Sequence, residues 1–147
     1  MKTGRWMYFF SAVLAILGSV AYHHFVKRIS PAIHPIVSIV GIYVGVLLLS
    51  GSLLLVFPPA EGYRHHFRQI NWVQLAVAIS VFLIELGFVL MYRAGWNLST
   101  ANLVTGVVIN ILLVALGLLL LREKVSLINA IGIVLSIIGV AMISYRP

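Results

Sequence analysis

The chain has 147 residues, 62% of them hydrophobic and only 9% charged, whereas a soluble domain averages roughly 45–50% apolar and about 25% charged. That balance excludes a water-soluble fold and leaves room for a single membrane domain, residues 1–147. Ten Lys and Arg stand against three acids, but they flank apolar runs and form no block of five or six, which favours anionic lipid headgroups over nucleic acid as partner; the lack of cysteine excludes disulfides and thiolate metal sites.

A bilayer core of about 30 Å takes about 20 apolar residues as a helix, and five stretches are that long. The expected fold is therefore all-α and integral to the membrane, with five transmembrane helices. The first covers about 6–26. Its Lys2 and Arg5, apolar core and "SVA" (19–21) imitate a cleavable secretory signal. A retained helix is favoured, because cleavage would leave only four spans. "KRISPAIHP" (27–35) breaks the chain with two prolines, which disfavour helix at the residues before them. The second span covers about 36–57. "PPAEGYRHHFRQIN" (58–71) is the only long polar stretch and is expected to be a loop at a headgroup surface. The third span covers 72–92. "RAGWNLST" (93–100) ends in Ser99 and Thr100, N-cap types for a fourth span over about 101–121. "REK" (122–124) is short enough to force a tight antiparallel hairpin with the fifth span, 125–145.

Small residues recur at helical spacing: Ser11, Ala15 and Gly18 on the first span, Ser38, Gly41, Gly45 and Ser52 on the second, Asn129, Gly132, Ser136 and Gly139 on the fifth. Packing against neighbouring helices is their expected use, including a homodimer seam along the fifth span. With the N-terminus inside, Lys2, Arg5, Arg64, Arg68, Arg122 and Lys124 lie inside, and Lys27, Arg28, Arg93 and Arg146 outside. Six against four is a weak positive-inside bias, compatible with either orientation. Trp6, Trp72, Trp96 and Tyr145 mark interfaces, and Trp96 after Gly95 also suits a pocket mouth.

The third span contains "VFLIELGFVLMYR" (81–93), with Glu85 as the only acid at depth. On insertion scales a central Asp or basic residue costs about 2.5–3.5 kcal/mol. A carboxyl in hydrocarbon favours its neutral form, so a proton or cation competes for it, which is the physical basis of proton-coupled exchange. The alternative is a protonated structural acid bonded to a neighbouring helix. Gln74 and Tyr92 share its helical face. On the fourth span Asn102, Thr105, Gly106 and Asn110 share a broad face, either as substrate ligands or as interhelical glue. His23, His24, His34, His65 and His66 offer no i, i+4 pair on a clear helix, so no metal site is expected. No nucleophile elbow, phosphate loop or carboxylate pair occurs, which argues against an enzyme, and no cofactor is expected.

"MYRAGWNLSTANL" and "GLLLLREKVSLINAIGIVLSIIGVAMIS" resemble the last helices of the EamA-type domain of the drug/metabolite transporter superfamily, which includes the small multidrug resistance proteins. The similarity lies in a short connection with one glutamate, here Glu123, followed by Gly132 and Gly139. "AYHHFVKRISP" resembles the end of the family's first helix, with Lys27 ahead of a Ser-Pro. The small multidrug resistance branch carries its essential glutamate in the first helix. No acid lies between Trp6 and Val26 here, so that role does not carry over. The resemblance implies one half of a ten-helix transporter built from inverted repeats, working as a homodimer, antiparallel or parallel, or with a related subunit. It further implies a small organic substrate near Glu85, Asn102, Thr105 and Asn110, and residence in the plasma (inner) membrane of a prokaryote. A lipid-carrier flippase component and a non-transporting scaffold subunit are the competing readings.

Overall fold

The computed structural model describes residues 3–120 and 126–144. The connection expected at 122–124 lies outside these residues, as do Glu123, Tyr145 and, from the charge count, Lys2, Arg122, Lys124 and Arg146. Among the described residues the chain is helical without strands: α1 Thr3–Val26, α2 Pro35–Val56, α3 Tyr63–Phe67, α4 Trp72–Arg93, α5 Leu98–Leu119 and α6 Leu127–Ser144. Four helices are long and apolar enough to cross a membrane, over Trp6–Val26, Pro35–Val56, Trp72–Arg93 and Leu98–Leu119. The apolar part of α6, Ile128–Ile143, is shorter. At 1.5 Å per residue it reaches roughly 24 Å, against a core of about 30 Å. The expected fifth span, 125–145, also counted Ser126, Leu127 and Ser144, and its two end residues lie beyond what is described.

The chain forms two compact units: Phe25–Ala94, and Met1–His24 with Gly95–Pro147. In Phe25–Ala94, α1 ends where Arg28 and Ile29 turn back onto the carbonyls of Phe25 and Val26. Pro35 occupies the first turn of α2, a position whose N–H has no helical partner in any case. Arg93 at the end of α4 donates to the carbonyls of Pro31 and Ile33, just before α2 begins. The α2–α4 pair is thus antiparallel. Its two fully buried large side chains are Ile39 and Val89.

The polar stretch 58–71 is not a plain loop, since it holds the short helix α3. Gly62 precedes α3 with φ +78°, a conformation that favours glycine. The Tyr63 hydroxyl bonds the Leu54 carbonyl at 2.9 Å, and His65 lies 2.9 Å from Glu61. α4 starts with a reciprocal cap. Asn71 Oδ1 accepts from the Val73 N–H at 2.9 Å, and Gln74 Oε1 accepts from the Asn71 N–H at 3.0 Å. Gly95, at φ +90°, follows the last turn of α4.

In the other unit, α5 begins at Leu98 with Asn97 as N-cap, three residues before the expected start. Ser99 and Thr100 are therefore not the cap. Thr100 instead bonds back to the Asn97 carbonyl at 3.3 Å. α6 has a Ser126 cap, whose hydroxyl accepts from the Asn129 N–H at 3.2 Å. α5 and α6 pack together.

The glycines of the small-residue faces make no close approach among the described residues. A Cβ placed at Gly18, Gly41, Gly45, Gly132 or Gly139 meets nothing within 4 Å. The α2–α4 seam is instead made by Ile39 and Val89. Large apolar side chains such as Leu47, Leu55, Leu83 and Leu119 stay exposed, as lipid-facing residues do.

Candidate functional site

Glu85 lies in the interior of α4, eight residues before Arg93, or about 12 Å along the axis. It is half-buried. The Tyr43 phenol on α2 interacts electrostatically with it. The Tyr43 hydroxyl is buried and has no hydrogen-bond partner among the described residues. The two helices of one unit thus bring a carboxyl and a phenol within electrostatic reach of each other, with no hydrogen bond from the phenol. A phenol can donate to a carboxylate or accept from a carboxylic acid, so it suits either protonation state of Glu85.

The residues expected beside Glu85 on its own helix do not converge on it. Gln74 shares its face but lies eleven residues away, about 16 Å by helical rise. Its side-chain oxygen is committed to the α4 cap. Tyr92 is buried two turns beyond Glu85, its ring stacked on Phe88 at 6.1 Å. Lys27 Nζ stands 6.0 Å from the Tyr92 ring centroid, so Tyr92 belongs to a second cluster at the helix end.

In the other unit the α5 residues divide. Asn102 is hydrogen-bonded through its side chain to His23 of α1, and His23 is buried. Thr105 directs its hydroxyl to the carbonyls of Ala101 at 2.8 Å and Asn102 at 3.3 Å. This is the intrahelical satisfaction open to any threonine in a membrane helix. Asn110 faces Asn129 and Ser136 across a groove of about 400 Å³ between α5 and α6. Trp96 sits in the α4–α5 connection, 41% exposed.

Two residues carry more of the geometry than sequence reasoning assigned them. In the sequence His23 is only one of five histidines without metal-site spacing, yet it is the buried partner of an asparagine. Tyr43 received no role. Its signal was its position, a tyrosine at mid-span and away from the interfacial belts where such rings collect. Among the described residues no three His, Asp or Glu side chains are grouped to hold a metal ion. No family model, characterised protein or solved structure matches the chain.

Proposed function

We propose that the protein is a transmembrane transporter of a small organic molecule, of the drug/metabolite type, with Glu85 as its coupling or substrate-pairing acid. The observation that carries this reading is the carboxyl itself, half-buried within an apolar helix and within electrostatic reach of the Tyr43 phenol on α2. A group whose charge hydrocarbon penalises changes occupancy readily between proton and cationic substrate. The chain acts as a five-span EamA-like half, α6 being the fifth span. It pairs with a second copy or a related subunit and works by alternating access in the plasma membrane of a prokaryote. Asn102 and Asn110 serve either as substrate ligands or as links between helices.

The test is flux. Purified protein in liposomes enclosing a pH-sensitive dye is challenged with a panel of small organic cations and neutral metabolites. Proton movement that depends on one of these compounds supports transport. Absence of compound-dependent flux across the panel, with the protein folded, favours the scaffold reading. Single cysteines introduced at each terminus of this cysteine-free chain then report orientation to an impermeant label. Partial labelling of both termini means dual topology, and labelling of one terminus alone excludes an inverted homodimer.

A second reading has its own observation. The α5–α6 groove places Asn110, Asn129 and Ser136 among apolar side chains, which suits a lipid-carrier flippase component. Transbilayer movement of a polyprenyl phosphate in the same liposomes, without compound-dependent proton flux, would favour it.

A further inference from the structure

Where α1 ends and α4 ends, a cavity of about 160 Å³ opens among Lys27, Arg28, Pro31, Val89, Tyr92 and Arg93. Three of its lining side chains are cationic and none is acidic. Arg93 is held in place by the Pro31 carbonyl at 3.5 Å and by the Ile33 carbonyl. Its Nε is nevertheless buried with no acceptor among the described residues. Buried N–H donors are rarely left without an acceptor, and this one belongs to a side chain that lines the cavity.

The plain explanation for such cations is that they offset the negative ends of α1 and α4. Each helix end is equivalent to about half a negative charge, so two ends amount to about one negative charge against the three cationic side chains that line the cavity. Size then selects the ligand. The cavity is smaller than the roughly 300–1,000 Å³ that drug-sized molecules occupy, but it suits a compact oxyanion. Guanidinium groups match phosphate oxygens through paired N–H donors.

We propose that this cavity binds a phosphate group, carried by an anionic lipid headgroup or as the free ion. The site does not depend on the transport reading, since Glu85 lies about two turns away along α4.

The test uses full-length protein in non-ionic detergent at constant ionic strength. One arm titrates inorganic phosphate. The other compares phosphatidylglycerol with phosphatidylcholine in mixed micelles, with binding read by thermal shift and native mass spectrometry. The double substitution Lys27→Gln with Arg28→Gln should weaken binding about tenfold or more, as expected for lost charge-assisted hydrogen bonds. An equal loss of charge at Arg64→Gln with Arg68→Gln should leave it unchanged. Arg93→Lys keeps the charge but loses the fork, and should also weaken binding; it decides the matter if the first variant fails to fold. Binding of phosphatidylglycerol alone identifies a lipid headgroup, whereas binding of inorganic phosphate identifies the phosphate group itself as sufficient. No binding in either arm, or equal losses in both double variants, overturns the proposal, because a diffuse basic surface predicts the latter.

Discussion

The α2–α4 pair and the α5–α6 pair are both made of apolar helices, but only the first carries a carboxyl within its helices. In α2–α4 the Glu85 carboxyl interacts electrostatically with Tyr43 of the opposite helix, and Arg93 ties the end of α4 to the chain before α2. Hydroxyls in both pairs turn to their own helices: Ser52 bonds Leu48 at 2.8 Å and Ser80 bonds Ala76 at 2.9 Å in α2 and α4, and Thr105 bonds Ala101 and Ser136 bonds Gly132, each at 2.8 Å, in α5 and α6. A neutral hydroxyl in a helix can borrow a carbonyl one turn back, whereas a carboxyl has no backbone donor to spare within the helix. An ionised Glu85 therefore requires a donor outside its own helix, whereas its protonated form can also use a carbonyl one turn back, and that difference makes it a candidate for chemistry.

The largest expected effect tests whether α2–α4 is the firmly packed pair. Ile39→Ala removes one of its two fully buried large side chains, and truncations of this kind cost about 2–5 kcal/mol. Thermal unfolding in detergent should show a marked loss. A loss no larger than that from Leu119→Ala, at an exposed position, would mean that the α2–α4 seam is not a core.

Next comes the tie at the helix end. Arg93→Gln removes the exposed charge-assisted bonds to Pro31 and Ile33, together worth about 1.5–3 kcal/mol. Faster proteolysis within 27–34 should accompany the lower melting temperature. Unchanged cleavage there would show that the loop is held by other means.

Much of the helical layout was legible because hydropathy and prolines act locally. The third span, expected at 72–92, is Trp72–Arg93, and Pro35 and Pro58 bracket the second. Caps were less legible. Ser99 and Thr100 are good cap types, but Asn97 is an equally good one earlier in the chain, and spacing alone did not choose between them. For the candidate site, shared helical faces misled. Gln74 and Tyr92 align with Glu85 on a wheel but are separated from it along the axis, and a wheel discards axial distance. Tyr43 and His23 depend on which helices are neighbours, information that no single span contains.

Smaller effects sharpen the contrast. Tyr43→Phe removes the hydroxyl beside Glu85, and should shift the pH dependence of compound-driven flux while changing stability by about 1 kcal/mol or less. A pH profile identical to that of the parent would separate Tyr43 from the chemistry. Thr105→Val should be the mildest change, within about 0.5 kcal/mol and without effect on flux, because its hydroxyl is satisfied within α5. A large loss of flux in this variant would place Thr105 among the substrate ligands and blur the distinction between the pairs.

The most direct test of the central claim is compound-driven proton flux in liposomes containing Glu85→Gln. The amide is nearly isosteric and avoids burying a charge, so the variant should fold and assemble normally. It cannot release a proton, so flux should vanish across the pH range, while Glu85→Asp retains some activity with a displaced pH profile. Normal, pH-dependent transport by Glu85→Gln would contradict the coupling role and leave Glu85 as a buried structural acid.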